Sequence, residues 1–177
     1  MAGTLTWTPA LDRPDLLADP VATALRADPA IAERVAVAEI DPDLADTAAF
    51  CETYGVRLDQ SANCVVLAAK RSGTTQLAAC MVLATTRADV NGLARKTLEA
   101  RKASFASMDV AVAETGMEYG GITPLGLPGG WPILVDAAVA ACPDAVIGSG
   151  VRRSKLLLPG EVLAGLPGAV VLADLGR

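Results

Sequence analysis

Two adjacent glycines, Gly120 and Gly121, open the segment of this chain that is best suited to chemistry. They follow an acidic segment, and Thr123 and Pro124 fix the direction in which the chain leaves. Glycine lets a backbone turn sharply and approach a ligand closely. Such a loop can direct several N–H groups to an oxyanion, a carboxylate or a carbonyl. The alternative is a connecting turn without chemistry, which is the commoner role of glycine-rich turns.

Asp136 is a second candidate, because it ends the short apolar run Ile133 to Val135, which is typical of a buried strand. A carboxylate at this position can hold the ammonium group of a substrate. It can equally cap the segment that follows it in the chain. The sequence leaves both roles open.

The absent residue types exclude several kinds of catalysis. The chain has no histidine, which excludes Ser–His–Asp and Cys–His nucleophiles. Its cysteines form no C-x-x-C pair, so we expect reduced core cysteines and neither a metal site nor another cofactor. Side chains alternate along a strand, so we expect Cys64 to face the core if Asn63 faces a pocket. The four cysteines are Cys51, Cys64, Cys80 and Cys142.

Charge is unevenly distributed along the chain. The formal net charge is −5, which argues against a bulk nucleic-acid binder. Residues 70–102 nevertheless carry an excess of basic groups, and Arg152, Arg153 and Lys155 form a second small cluster. Such patches can neutralise a few phosphates, or they can form solvated surfaces. The basic residues of the first patch are Lys70, Arg71, Arg87, Arg95, Lys96, Arg101 and Lys102.

Length and composition favour one domain and a cytoplasmic location. The chain has 177 residues, of which 52% are apolar and only 3% aromatic, so Ala, Val and Leu must build the core. The apolar run from Leu77 to Ala84 is far shorter than the ~20 residues of a membrane helix. The residues that follow Met1 lack the pattern of a signal peptide. We therefore expect no membrane partner.

The elements that must position these residues combine strands and helices. The apolar runs Asn63–Ala69 and Gln76–Thr85, joined by Arg71-Ser72-Gly73, predict a β-hairpin. Thr47, Asp89 and Ser107 are predicted helix caps. The expected fold is a single α+β domain with a curved, barrel-like mixed sheet surrounded by helices. Further predicted strands are Val35–Ile40, Ala103–Phe105, Ile133–Asp136, Ala145–Gly148, Lys155–Leu158 and Ala169–Ala173; the predicted helices are Val21–Ala27, Thr47–Tyr54, Val90–Ala100, a helix from Ser107 to Gly116 and a short one at Pro159-Gly160-Glu161.

The order and spacing of these segments resemble the YbaK family of aminoacyl-tRNA editing domains, which is related to the insertion domain of bacterial prolyl-tRNA synthetases. The resemblance is strongest at Gly120–Gly126, where the family carries its G-x-x-x-P loop. It covers residues 35–175 and leaves residues 1–34 as an N-terminal extension packing on a domain of residues 35–177. The other matching segments are Asp41-Pro42, Thr47-Ala48-Ala49, Asn63–Leu67, Thr115-Gly116, Pro132–Asp136 and Gly148-Ser149-Gly150.

The resemblance implies hydrolysis of an aminoacyl ester. That ester is already activated, so a placed water and a stabilised oxyanion suffice, and backbone N–H groups commonly supply ~3–4 kcal/mol. The implied catalytic residues are Asn63, Gly120, Gly121 and Asp136. The implied substrate-binding residues are Thr123, Pro124, Gly148, Gly150 and Lys155. The residues expected to contact a tRNA acceptor end are Arg71, Arg95, Arg101 and Lys102.

Two positions depart from the family pattern. The family strand carries a lysine needed for activity, and the matching residue here is Asn63. Where several relatives have an acidic residue after the Gly-x-Gly turn, this chain has Lys155. Lys155 can replace the lost cation in part, or it can be an ordinary surface lysine.

Two functions therefore follow from the sequence. The first is a trans-acting aminoacyl-tRNA deacylase that clears mischarged tRNA and has an aminoacyl-tRNA synthetase as a possible partner. The second is a non-catalytic module that binds an aminoacyl group, a tRNA end or another small ligand. The glycine loop and Asp136 favour the first, whereas Asn63 favours the second. We favour the deacylase, because loss of function would free the glycine loop to drift.

Overall fold

Nine β-strands, numbered in chain order, form two sheets in the computed structural model, which describes residues 2–177. The first sheet is antiparallel, and its strands lie side by side in the order β1 (Thr8–Pro9), β2 (Ala36–Glu39), β8 (Ser154–Leu158) and β7 (Ala145–Gly148). The second sheet has the order β5 (Lys102–Phe105), β3 (Ala62–Arg71), β4 (Thr74–Leu83), β6 (Ile133–Asp136) and β9 (Ala169–Leu172). Strands β4, β6 and β9 run parallel, so the second sheet is mixed.

Short helices cover these sheets. Two of them, α3 (Thr47–Tyr54) and α5 (Met108–Thr115), end at Gly55 and Gly116, whose left-handed φ values of 66° and 67° favour glycine, as the sequence predicts. Within residues 2–177, none of the helices is long and apolar enough to cross a bilayer. The α-helices are α1 (Asp19–Ala27), α2 (Pro29–Ala32), α3 (Thr47–Tyr54), α4 (Arg95–Thr97), α5 (Met108–Thr115), α6 (Ala137–Ala140) and α7 (Gly160–Ala164).

The hairpin of β3 and β4 is the longest paired unit, with register running from Ala62 opposite Leu83 to Arg71 opposite Thr74. Its turn is Ser72-Gly73, and both residues have positive φ, 48° and 82°. Two-residue turns of this kind match the natural twist of paired strands. The hairpin predicted from the sequence is thus confirmed, with β3 placed between β4 and β5.

The two sheets meet at one point and then diverge. Ser61 forms an isolated parallel bridge with Val146 of β7, and the Val146 N–H donates to the Gln60 carbonyl at 2.8 Å. Beyond this bridge β3 continues with β4 and β5, whereas β7 continues with β8. The α+β class is confirmed, but the sheets do not close into a barrel.

Apolar side chains fill three clusters around the sheets. The largest includes Val21 and Leu25 of α1, Met81 of β4, Val135 of β6 and Leu156 of β8. Helix α1 thus buries its apolar side in the main core, and β1 extends the first sheet. The segment before residue 35 is therefore packed on the rest of the described chain. A smaller cluster surrounds Phe50, which is fully buried on α3.

The helix predicted from Val90 to Ala100 is α-helical only in part. Residues Val90–Ala94 form a π-helical turn that leads into the three-residue α4. Asp89 caps it as expected, with its carboxylate accepting from the N–H groups of Gly92 and Leu93 at 3.1 and 2.9 Å. The predicted continuation to Ala100 is wrong, because the chain turns at Glu99, which has a positive φ of 50°.

Candidate functional site

A cavity of about 260 Å³ lies where β3 separates from β7. Its walls come from the start of α3, the first half of β3, the end of β5, the glycine loop, and strands β7 and β8. Four residues selected from the sequence line it together, namely Asn63, Gly120, Gly148 and Lys155. They are brought from both sheets and from one loop into a single space.

The cavity follows an unpaired edge of β3. Ala84 donates its N–H to the Ser61 carbonyl at 2.8 Å, so odd-numbered residues of β3 direct their peptide groups to β4. Even-numbered residues point the other way, and the Val66 carbonyl accepts from Ala106 at 2.8 Å. Cys64 pairs with Met81 of β4, whereas the ladder of β3 with β5 begins only at Leu67. The stretch of β3 that lines the cavity is therefore not covered by β5.

The structure places Cys64 as expected. Cys64 packs against the main core, and it also contributes to the lining of the cavity together with Asn63, although their side chains alternate. Burial raises the pKa of the Cys64 thiol well above its ordinary value. Cys64 is therefore a neutral thiol and a poor nucleophile.

Asn63 is held by the start of α3. The Thr47 hydroxyl donates to Asn63 Oδ1 at 2.9 Å. Thr47 was predicted to cap α3, but Asp46 occupies the cap position and Thr47 is the first helical residue. Because Oδ1 accepts this bond, the amide NH₂ of Asn63 remains available as a donor for a ligand.

Lys155 enters the same cavity from β8. Its Nζ donates to the Ala45 carbonyl at 3.1 Å and lies 5.0 Å from the centre of the Phe50 ring. Burial lowers the pKa of Lys155 to about 8, and the charge of Arg152 adds to this effect while that of Asp46 opposes it. Lys155 is thus a partly buried cavity lysine and not a surface lysine.

The glycine loop offers two free donors. Within residues 2–177, the N–H groups of Gly120 and Ile122 donate to no acceptor of the protein, and both residues line the cavity. Gly120 has φ of 89°, which favours glycine. The N–H of Gly121 is already used, because it donates to the Glu118 carbonyl at 2.9 Å.

Close packing between two loops explains the other glycines. The Gly150 N–H donates to the Gly121 carbonyl at 2.7 Å. A Cβ atom added to Gly148 would lie 2.3 Å from that same carbonyl oxygen. Gly121 and Gly150 do not line the cavity. The prediction that Gly121 and Gly150 contact substrate is therefore wrong. These two glycines instead allow the two segments to pack closely against each other.

Arg152 ties the glycine loop to the start of α3. Its guanidinium donates to the Pro42 carbonyl at 3.1 Å and to the Tyr119 carbonyl at 3.4 Å. Its own N–H donates to Glu118 Oε2 at 2.6 Å. Arg152 therefore positions one cavity wall, and its guanidinium is already hydrogen-bonded within the protein.

Three further residues lie outside the cavity. Asp136 caps α6, since Oδ1 accepts from Ala138 N at 2.8 Å and Oδ2 from Gly176 N at 2.6 Å. The prediction that Asp136 lines the cleft is wrong, because both carboxylate oxygens accept hydrogen bonds from backbone N–H groups. Thr123, within the glycine loop, is fully buried and does not line the cavity, and Pro124 lines a separate apolar cavity near Trp131.

The predicted tRNA-contacting residues lie apart from the cavity. Arg71, Arg101 and Lys102 gather with Lys70 around the turn of the β3–β4 hairpin, and we call these four residues the basic tip. Lys70 lies seven positions after Asn63 along β3, which corresponds to about 23 Å. Arg95 is not part of the tip. Its guanidinium donates to the carbonyls of Asn91 and Ala100 at 2.9 and 3.4 Å.

Several cavity residues were missed from the sequence. The sequence predicts a helix cap at Thr47 and indicates no site role for Phe105, Tyr119 or Ile122, yet all four line the cavity. Their signals were weak: Tyr119 directly precedes the glycines, and Phe105 ends a predicted strand in a chain with few aromatic residues. Only the approach of β5 and the glycine loop to the edge of β3 brings them together.

Comparison with known proteins agrees with this geometry. Residues 41–166 match the family model described as aminoacyl-tRNA editing domain. No curated protein sequence matches the chain. Among solved structures, a candidate trans-editing enzyme for prolyl tRNA synthetase is 21% identical with a TM-score of 0.75, and the match covers 90% of this chain and 96% of that one.

Two other solved structures share the fold. A scaffold protein from epitope backbone grafting by computational design is 21% identical with a TM-score of 0.76, over 90% of this chain and 97% of that one. A hypothetical protein, APE2540, is 20% identical with a TM-score of 0.66, over 75% and 85%. Since the family model matches well over half of the chain, the resemblance found in the sequence is confirmed, and this protein belongs to the aminoacyl-tRNA editing domain family.

Proposed function

We propose that this protein is a trans-acting aminoacyl-tRNA deacylase, which hydrolyses the ester between a wrong amino acid and the 3′ end of a tRNA. The observation that carries the proposal is that Lys155, Asn63, Gly120 and Ile122 line one cavity, and that the N–H groups of Gly120 and Ile122 have no acceptor within residues 2–177. Membership of an editing-domain family and the likeness to a candidate trans-editing enzyme support the same reaction.

Water supplies the nucleophile in this reaction. Its oxygen bonds to the ester carbonyl carbon, the carbon–oxygen bond to the ribose breaks, and the ribose oxygen takes up a proton. The carbonyl oxygen is negatively charged in the tetrahedral intermediate. The N–H groups of Gly120 and Ile122 are preorganised donors for that oxyanion.

Lys155 supplies the positive charge that the family draws from the position of Asn63. The two side chains belong to different sheets but line the same cavity. In a partly buried site an ammonium group stabilises a nearby anion more strongly than it does in bulk water. We assign the Lys155 ammonium to the developing charge on the substrate.

Asn63 orients the substrate without supplying charge. Thr47 fixes its Oδ1, so the amide NH₂ can donate to the ester carbonyl or to a ribose hydroxyl. Cys64 has no catalytic part, because its thiol stays neutral.

A second function is favoured by one observation, the absence of the family lysine at Asn63. In this alternative the protein is a non-catalytic module that binds an aminoacyl group, a tRNA end or a small ligand in the same cavity. The neutral amide of Asn63 suits binding as well as it suits catalysis.

A deacylation screen distinguishes the two functions. The native protein, Lys155→Ala, Asn63→Lys and the surface control Lys96→Ala are assayed on a panel of mischarged tRNAs. We expect native activity on at least one of them, a loss with Lys155→Ala, a gain with Asn63→Lys and no change with Lys96→Ala. If the native protein and Asn63→Lys are both inert while a ligand still binds the cavity, the deacylase is rejected in favour of the binding module.

A further inference from the structure

Two aromatic side chains are exposed at the mouth of the cavity. Phe105 and Tyr119 are 62% and 55% exposed, and both line the space that also contains Asn63 and Lys155. The other four aromatic residues of the chain are buried or partly buried. The two most exposed aromatic side chains of the described chain thus both lie at the entrance to the site.

These rings have no partner within the described chain. Phe50 and Tyr54 pack against each other at 5.4 Å, but neither Phe105 nor Tyr119 contacts another ring in residues 2–177. Met108 of α5, which is 54% exposed, follows Phe105 closely in the chain. Exposed apolar surface at the rim of a pocket is characteristic of a binding site.

Strand β5 connects this rim to the basic tip. Phe105 ends β5 and Lys102 begins it, a separation of about 10 Å at the rise of a strand. Lys102 lies directly opposite Lys70 in the ladder of β5 and β3. Like charges at directly opposing positions destabilise a sheet. A bound polyanion removes this cost, because its phosphates neutralise both ammonium groups.

We propose that Phe105 and Tyr119 stack on nucleobases of the single-stranded 3′ end of a tRNA, whose phosphates follow β5 towards Lys70, Arg101 and Lys102. Aromatic platforms beside a row of positive charge are how proteins hold single-stranded nucleic acids. This assignment rests on the proposed deacylase and names the surface that presents the ester to the cavity. An apolar peptide would use the rings but not the basic tip.

The test uses uncharged RNA, so hydrolysis does not enter. The probe is an RNA hairpin that ends in single-stranded CCA, and the reference is the same hairpin without the overhang. Phe105→Ala and Tyr119→Ala should each weaken binding of the overhang RNA by about 5- to 150-fold, because stacking is worth ~1–3 kcal/mol per base. Binding of the blunt RNA should not change.

Conservative variants separate stacking from folding. Phe105→Tyr and Tyr119→Phe keep a ring and should bind the overhang RNA as tightly as the native protein. Leu58→Ala, which removes an exposed apolar side chain (46%) that does not line the cavity, should have no effect. Equal affinity of native and alanine variants for the overhang RNA, or an equal loss for both RNAs, overturns the proposal.

The outcomes also separate this proposal from the deacylase. If the rings are needed for RNA binding but no mischarged tRNA is hydrolysed, the stacking surface stands and the enzymatic function falls. If Phe105→Ala and Tyr119→Ala deacylate tRNA and bind RNA like the native protein, the enzyme stands and the stacking surface falls. If an apolar peptide competes for the rings and the RNA does not bind, the occupant is a protein segment and the proposal is wrong.

Discussion

Lys155 and Asn63 reach one cavity from two different sheets, and the start of α3 contacts both of them. The Ala45 carbonyl, just before α3, accepts from Lys155 Nζ, and the Thr47 hydroxyl donates to Asn63. The segment from Ala45 to Thr47 thereby fixes the spacing of a cation and an amide. This arrangement places an ammonium group and an amide in the same cavity.

The pH dependence of deacylation should report the charge of Lys155. Its pKa is lowered to about 8, so the ammonium is lost as the pH rises through that value. We expect kcat/KM, corrected for uncatalysed hydrolysis, to fall above about pH 8. Lys155→Arg keeps its charge at every accessible pH and should show a flatter profile. A profile that rises through pH 8 would contradict the assigned role, and an identical fall in Lys155→Arg would assign the titration to the substrate amine.

Lys155 should also make stability depend on pH. Because its pKa lies near 8 in the folded state and near 10.5 when unfolded, burial of the charge destabilises the fold fully below pH 8. As the pH rises from about 8 to about 10.5, the folded lysine loses its proton first and this cost is relieved. The native protein should therefore gain stability relative to Lys155→Met over this interval, by at most about 3 kcal/mol.

Urea unfolding of both proteins between pH 7 and 10 measures this difference. Other titrating groups contribute equally to the two proteins and cancel in the comparison. Parallel stability curves for the native protein and Lys155→Met would show that Lys155 is not buried as a charge.

Gly148→Ala should damage the fold of the site. The added Cβ would lie 2.3 Å from the Gly121 carbonyl oxygen, so the two loops must separate. Overpacking of this kind commonly costs about 1–3 kcal/mol. Gly129→Ala is the matched control, because a Cβ there meets no atom within 4 Å. Thermal unfolding of both variants tests this, and an equal Tm for the two would show that the loop contact is not tight.

Removing charge from the basic tip should weaken tRNA binding regardless of the nucleotide sequence of the tRNA. Arg101→Ala and Lys102→Ala together should reduce the slope of log affinity against log salt concentration by about one to two. Arg95→Ala and Lys96→Ala together are the control of equal charge, since both residues lie outside the tip and Arg95 bonds to its own segment. Binding that is equally strong at low and high salt would indicate a small-molecule ligand.

Local features were predictable from the sequence because short-range physics decides them. The turn at Ser72-Gly73 follows from two adjoining residues that tolerate positive φ between apolar runs. Asp89 and Gly116 were correctly assigned as helix ends for the same reason. The family could also be recognised, because the order and spacing of its motifs are features of the amino-acid sequence.

The roles of single polar residues required the tertiary structure. Asp136 follows a strand, as predicted, but whether a carboxylate meets substrate or backbone depends on what folds over it. Here the N–H groups of Ala138 and Gly176 occupy both oxygens. Gly121 was expected to donate a hydrogen bond to substrate, yet its N–H is used within its own turn.

The cavity itself is a product of long-range packing. Local sequence patterns account for most of the strands, the caps at Asp89 and Ser107 and the glycine loop. Only the folded chain decided that β3 and β7 separate after Ser61, and that Lys155 points into the resulting gap. Within the described chain, the two sheets are joined by a single bridge, between Ser61 and Val146. The distance between Asn63 and Lys155 therefore depends on how the sheets pack, which no local sequence pattern specifies.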